Sequence, residues 1–261
     1  MKIDLTGKNA LVGGSSRGIG RAIAVQMALS GANVTVVARS EGLLQDLVHE
    51  LDISKGQHHQ YIVTDYSDFE KYRKQVDTYF QNNRVDILVN NTQGPSAGSS
   101  LEKATEDYQQ AFDLLFKTVQ YTTHAALEQM MKNKWGRIIN VASISVKQPL
   151  SYLALSNTIR AAVVTWGKTL ATDVGPSGIT VNSVLTGYFD TERIEQLNQK
   201  KAEQLGIAEK EVRHDMEQQV PVKRIGLPEE YGFLATFLAS EQAAYITGTA
   251  IPIDGGLLKS I

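Results

Sequence analysis

Seven short apolar runs, widely spaced along the chain, limit the possible folds more than any other feature of this sequence. They occupy residues 9–12, 33–38, 60–64, 85–89, 137–142, 179–184 and 250–253. Each is apolar on both faces rather than alternating, which is the pattern of a strand covered from both sides. Helix-length segments lie between them, among them residues 20–29, 67–80, 105–132, 150–172 and 228–239. Strand alternating with helix calls for right-handed crossovers. The expectation is therefore one α/β domain over residues 1–261, a doubly wound, seven-stranded parallel sheet with helices on both faces. Ligands of such sheets bind outside the C-terminal strand ends. No internal repeat or long linker interrupts the pattern, and the Gly/Ser/Pro-rich stretch 92–100 reads as a loop within the domain. Residues 192–219 are charged and helix-prone, with Leu197, Leu205, Ala208, Val212 and Met216 as inward candidates. They read as a solvated flap of the kind that can close over a substrate.

Composition removes several function classes. With 42% hydrophobic and 21% charged residues the chain is neither disordered nor fibrous. Lys+Arg (26) and Asp+Glu (28) nearly balance and form no long block, so neither nucleic acid nor a membrane is an expected partner. There are no cysteines, which excludes disulfides and thiolate chemistry and fits a cytoplasmic location. No apolar run reaches the ~18 residues of a membrane span. Met1-Lys2-Ile3-Asp4 is not followed by a signal-peptide core. No residues have metal-ligand spacing, so no metal is expected.

The first run ends in Val12-Gly13-Gly14-Ser15-Ser16-Arg17-Gly18-Ile19-Gly20 and opens into a helix. Glycines allow a tight turn and close approach to a pyrophosphate, and a helix N-terminus presents free N–H groups to it. The spacing Gly14-x3-Gly18-x-Gly20 differs from G-x-G-x-x-G, so the spacing alone also fits a plain glycine-rich turn. Its place between a strand and a helix favours a dinucleotide. The second run ends in Ala38-Arg39-Ser40, where an NAD site usually carries an acid. Arg39 and Arg17 could instead hold a 2′-phosphate through charge-assisted hydrogen bonds. The expected cofactor is NADP(H) in preference to NAD(H).

Further motifs follow in order: Asp65 after the third run, Asn90-Asn91 after the fourth, Gly136-Arg137-Ile138-Ile139-Asn140, Gly178-Ile179-Thr180-Val181-Asn182, and Tyr245-Ile246-Thr247-Gly248 leading to Asp254-Gly255-Gly256. In this order the chain resembles the short-chain dehydrogenase/reductase family along its whole length. It is most similar to the branch of 3-oxoacyl-acyl-carrier-protein reductases. The resemblance implies a Rossmann-type fold and a cofactor bordered by Gly14, Ser16, Arg17, Gly18, Ile19, Gly20, Arg39 and Ser40. It places Asp65 and Tyr66 at the adenine, Asn91 and Thr92 along the cofactor, and Gly187 and Thr191 near the nicotinamide. It also implies a homotetramer built through the long helices at 105–132 and 150–172. Gly13 stands where the family usually has Thr, Thr92-Gln93 where it has Ala-Gly, and Thr186 where it has Pro.

The family's catalytic tetrad of Asn, Ser, Tyr and Lys is altered. Counting from Gly136-Arg137-Ile138 and back from Lys168-Thr169-Leu170-Ala171 places Leu115, Ser143, Ser156 and Arg160 at those positions. Only Ser143 is retained. A tyrosine starts near pKa ~10, and a nearby cation brings it into working range. A serine hydroxyl is a poor proton source, and Arg160 is permanently charged: it can hold ribose or an anion but not pass a proton. General acid catalysis is worth ~10²–10⁴-fold, so its loss matters. Tyr152 is a substitute candidate if Pro149 starts the helix, since Tyr152, Ser156 and Arg160 would then share a face. Lys147 reads as a solvated loop lysine.

The candidate catalytic set is thus Ser143, Ser156 and Arg160, with Tyr152 behind them; Arg160 also belongs to the cofactor set. The expected function is an NADP(H)-dependent oxidoreductase acting on a carbonyl/alcohol pair, with a small-molecule or acyl-thioester substrate. Two other readings stay open at this point: a catalytically silent dinucleotide-binding protein, and a non-redox chemistry on an anion beside Arg160.

Overall fold

The computed structural model describes residues 3–260. The strands are β1 (Asn9–Gly13), β2 (Asn33–Ala38), β3 (Gln60–Val63), β4 (Ile87–Asn90), β5 (Gly136–Ser143), β6 (Ile179–Thr186) and β7 (Ala250–Ile253). They form one sheet in the order β3-β2-β1-β4-β5-β6-β7, every neighbouring pair parallel. The order reverses between β1 and β4, which opens a crevice at their C-terminal ends. This is the Rossmann-type doubly wound architecture expected from the seven runs.

The helices are α1 (Gly18–Leu29), α2 (Glu41–Glu50), α3 (Phe69–Asn82), α4 (Thr105–Phe112), α5 (Thr118–Asn133), α6 (Ala154–Val174), α7 (Glu192–Leu205), α8 (Glu209–Gln219) and α9 (Pro228–Leu238). One core packs Ile23, Met27, Leu44, Leu47, Tyr231 and Leu238 of α1, α2 and α9 on one sheet face. Another packs Tyr72, Val76, Leu127, Met130, Ala171 and Val174 of α3, α5 and α6 on the opposite face. This two-sided cover is why the central strands are apolar on both faces.

Three expectations are corrected. The segment 105–132 is not one α-helix, because a π-helical turn at Asp113–Lys117 separates α4 from α5. The segment expected from residue 150 becomes helical only at Ala154. Before it, the Gly98 N–H donates to the Tyr152 carbonyl (2.8 Å) and the Ala154 N–H to the Gly98 carbonyl (3.1 Å). That pairing holds residues 152–154 against the loop after β4 and overrides the helix-starting tendency of Pro149. In the flap, Val212 and Met216 are buried as expected and Leu197 is half-buried, but Leu205 and Ala208 are exposed. Gly206 (φ +66°) ends α7 in the left-handed region and turns the chain out at that point.

Helix α9 begins with Pro228, and Glu230 reaches back to accept from the Leu227 N–H (2.8 Å). Glu230 also receives both terminal nitrogens of Arg224 (2.6 and 2.7 Å). The Arg224 guanidinium and then the Leu227 N–H hold its carboxyl down to about 2, from an ordinary 4.5. A depressed carboxyl stabilises the fold above its unfolded value, and the contribution is lost as pH falls through the folded value. Glu230→Ala should therefore cost about 1 kcal/mol near neutral pH in urea unfolding. The gap to wild type should shrink as pH drops from 4.5 toward 2; a gap constant over that window would contradict the pairing.

Candidate active site

The turn between β1 and α1 is held from three sides. The Ser15 N–H donates to the Val37 carbonyl (3.1 Å), the Val37 N–H donates to Ser15 Oγ (2.8 Å), and that hydroxyl donates to the Val12 carbonyl (3.0 Å). Asn91, just past β4, donates through Nδ2 to the carbonyls of Gly13 (3.1 Å) and Gly14 (3.3 Å). Gly14 and Gly18 lie in the left-handed region (φ +55° and +52°). A Cβ on Gly20 would stand 2.2 Å from the Gly14 carbonyl oxygen, so only glycine lets the helix start this close to the strand end. Arg17 is the N-cap residue but makes no side-chain cap. The first amides of α1, from Gly18 and Ile19, therefore point outward toward a would-be anion. Ser16 and Ile19 flank this opening, both half-buried.

Other residues from the sequence reading lie along the same strand edge. Arg39 is exposed and 3.9 Å from Asp65. Ser40 is exposed at the N-cap of α2, and its hydroxyl makes no cap there. Burial raises the Asp65 carboxyl, but the Ser67 N–H and hydroxyl, with Arg39, outweigh that and keep it below the ordinary value. Thr191 caps α7 and lies against the glycine turn: a Cβ on Gly18 would be 3.1 Å from its methyl. Gly187 is packed on Asp254, 2.6 Å from a would-be Cβ. Thr92 is half-buried beside Asn91.

Arg17 and Tyr66 each have a partner that the sequence did not announce. Arg17 does not stand free beside Arg39; it is ion-paired with Glu192 at the start of the flap. The Tyr66 side chain packs against the glycine turn. It is buried under the turn, with its hydroxyl 2.8 Å from where a Gly13 Cβ would be. Burial, with Tyr72 alongside, pushes this phenol well above its ordinary value. The tyrosine thus fills the space that a side chain at position 13 would need, which accounts for Gly13 in place of Thr.

Three of the candidate catalytic positions lie at the C-terminal end of β5 and in the first two turns of α6. Ser143 ends β5, and its Oγ accepts from the Ser145 N–H (3.1 Å). Ser156 is half-buried in the first turn of α6. Arg160, one turn on, donates through Nη1 to the Val141 carbonyl (2.6 Å). Burial lowers its pKa, offset in part by neighbouring Tyr231, while the charge of Arg193 lowers it further. Leu115 lies in the π-helical turn and is buried with Ala111, Leu155 and Ile159. An apolar cluster therefore surrounds the position where the resemblance implies an asparagine.

Tyr152 precedes α6 instead of lying in it, so it does not share a helical face with Ser156 and Arg160. Burial alone raises its phenol, with no cation to lower it. Lys147 is exposed. Two residues not singled out from the sequence follow β6, one before the flap and one at its start: burial raises the Tyr188 phenol, and Arg193 donates to the Pro95 carbonyl (3.3 Å). Arg193 lies within a flap rich in charge, where nothing local distinguishes an arginine that reaches another loop from a solvated one. Among the described residues, no group of three His, Cys, Asp or Glu side chains could hold a metal, and no helix is long and apolar enough to cross a membrane.

The reversed strand order, the glycine cradle and the uncapped helix amides define the class: an α/β protein built to bind a dinucleotide at its strand edge. Residues 14–258 match the family described as Enoyl-(Acyl carrier protein) reductase. The chain is 36% identical over 258 residues to the oxidoreductase UcpA of Salmonella typhimurium, covering 97% of this chain and 95% of that one. It is 34% identical over 256 residues to the 3-oxoacyl-[acyl-carrier-protein] reductase FabG of Vibrio cholerae, covering 98% and 99%. Its fold superposes on L-sorbose reductase from Gluconobacter frateurii, solved with NADPH and L-sorbose, with TM-score 0.92, 32% identity and full coverage of both chains. The chain belongs to the short-chain dehydrogenase/reductase family.

The Gly13–Tyr66 contact is testable. A methyl at position 13 would meet the Asn91 carbonyl oxygen at 2.5 Å as well as the Tyr66 hydroxyl. Gly13→Ala should cost about 1–3 kcal/mol in urea unfolding. Adding Tyr66→Phe should recover part of the loss; simple additivity of the two losses would contradict the contact.

Proposed function

We propose that this chain is an NADP(H)-dependent oxidoreductase acting on a carbonyl/alcohol pair, with the cofactor lying from Arg39 past the glycine turn to Arg160. The observation that carries this reading is the cradle itself. Gly14 and Gly18 take left-handed backbone, Gly20 approaches Gly14 too closely for a Cβ, the first amides of α1 are uncapped, and Asn91 fixes the turn in that shape. Exposed Arg39 and the uncommitted Ser40 hydroxyl suit a 2′-phosphate. The NADPH in the L-sorbose reductase structure supports the same choice. Of the two arginines we assign the phosphate contact to Arg39, whose partner Asp65 stands 3.9 Å away, whereas Arg17 is hydrogen-bonded to Glu192.

When bound, NADPH supplies a hydride. The chain's own groups orient the acceptor. Ser143, at the end of β5, offers its hydroxyl to the carbonyl oxygen, and Ser156 offers a second hydrogen-bond donor from α6. Neither serine releases a proton near neutral pH, and Arg160 holds its charge. Protonation of the product oxygen is thus left to solvent, and slow turnover of ordinary ketones follows. The flap at 192–219, joined to the turn through Arg17–Glu192 and Thr191–Gly18, closes the mouth. The FabG relatives support 3-oxoacyl thioesters as one substrate class, and we take a homotetramer through α4, α5 and α6 as the working assembly. The buried cluster around Leu115 favours one second reading, a silent dinucleotide-binding protein, because it removes the polar group at the asparagine position.

Fluorescence titration separates these readings. NADPH should bind at least about tenfold tighter than NADH, and Arg39→Asp should abolish or reverse the preference; equal wild-type affinities would contradict the 2′-phosphate site. If the site merely lacks its acid, Ser156→Tyr with Arg160→Lys should raise carbonyl reduction by about 10²-fold. If Arg160 positions the substrate, the same double substitution should lower it. Tight NADPH binding with no turnover before or after the substitution would favour the silent protein.

A further inference from the structure

We propose that a polar cavity at the N-terminal edge of the sheet is a second binding site, for a neutral polyhydroxyl compound the size of a monosaccharide or cyclitol. The cavity encloses about 390 Å³, within the range of small-molecule sites. It lies where β1, β2 and β3 begin and α3 ends. The glycine turn and Arg39 are at the other end of the same strands, about 20 Å away along β2. The site is therefore separate from the cofactor crevice, and the inference does not rest on the oxidoreductase reading.

Every residue that lines the cavity bears a polar group, and five of the ten are carboxamides. They are fixed by one another. On one wall Asn33 Nδ2 donates to Asn9 Oδ1 (3.0 Å), and Asn9 Nδ2 donates to Asp86 (3.0 Å). The Asn33 oxygen accepts from the His58 N–H (2.9 Å). On the other wall Gln60 Nε2 donates to Asn83 Oδ1 (3.0 Å), and Asn83 Nδ2 donates to the Tyr79 carbonyl (2.9 Å). Between the walls the buried hydroxyls of Thr35 and Tyr79 share a hydrogen bond (2.7 Å). An amide side chain has two N–H donors and a carbonyl with two lone pairs, so one held through a single bond keeps others for a ligand. Walls set in place before a ligand arrives lower the ordering cost of binding it.

Charge decides the ligand class. Arg84, the guanidinium of the lining, donates through Nε to Asp86 (2.7 Å), a carboxylate that is itself buried. His59 is held at both ring nitrogens: Nδ1 accepts from the Val34 N–H (3.1 Å), and Nε2 is 2.9 Å from the Asp52 carbonyl oxygen. The walls thus present dipoles, and their guanidinium is already paired. An ion gains little from such a lining. A hydroxyl is donor and acceptor at once and matches adjacent N–H and C=O groups, and a ring bearing several hydroxyls can meet both walls together.

Titration of the full chain with myo-inositol and with D-glucose, followed by the side-chain NH₂ signals of Asn and Gln in ¹H–¹⁵N spectra, tests the site. At least one probe should give saturable shifts at Asn33, Gln60 and Asn82, with a Kd of about 10 mM or tighter. D-glucuronate should bind no more tightly than D-glucose. Gln60→Leu and Asn82→Leu, both at exposed positions, should each weaken the probe at least about fivefold, with NADPH affinity at the wild-type level; the second variant carries the test if the first fails to fold. Absence of saturable shifts with both probes would overturn the proposal. So would shifts confined to residues 14–20 and 143–160, which place the polyol in the cofactor crevice, or unchanged binding in the folded variants. Tighter binding of D-glucuronate would overturn the assignment to a neutral ligand.

Discussion

The side-chain amide of Asn91 donates to the carbonyls of Gly13 and Gly14, and the site depends on this contact. It ties the end of β4 to the end of β1 where the strand order reverses, so the crevice is braced where it opens. With those two carbonyls pulled toward β4, the turn directs its amides the other way, into the crevice. The same closeness leaves no room for a Cβ at Gly13, Gly14 or Gly20. Tyr66 then fills the remaining space beneath the turn. The turn is thus packed from below and hydrogen-bonded from the side, and only its upper face is left for a ligand.

The distribution of positive charge follows from this frame. Arg17 leaves the turn to meet Glu192, and Thr191 packs against Gly18, so the flap is anchored to the phosphate site at its first residues. Arg213 draws Asp190 away from the mouth. Arg193 instead reaches the Pro95 carbonyl, and Arg160 is held on the Val141 carbonyl near the end of β5.

Much of the fold was legible in the sequence because strands buried on both faces must be apolar on both faces, and 33–38 and 250–253 match β2 and β7 at both ends. The glycine turn was legible because no other residue permits that backbone. What failed was non-local. Pro149 suggested a helix start, but Gly98, about fifty positions earlier, holds the chain in a turn until Ala154. The π-helical turn at Asp113–Lys117 breaks an otherwise uniform helical pattern without a glycine or proline to announce it. The partner of Arg17 lies 175 residues away. The inward turn of Tyr66 depends on the absence of a side chain at Gly13. Spacing could place Ser143, Ser156 and Arg160 together, but not show that Arg160 is held on the Val141 carbonyl.

The central claim, that the uncapped first turn of α1 is the dinucleotide site, is tested most directly by residue-resolved amide hydrogen exchange with and without NADPH. The account predicts slowed exchange at residues 16–20 when NADPH is added, with a matching effect at residues 39–40 and none at the amides of β7, the edge strand furthest from β1. Unchanged exchange at residues 16–20 under conditions where NADPH is bound would contradict it.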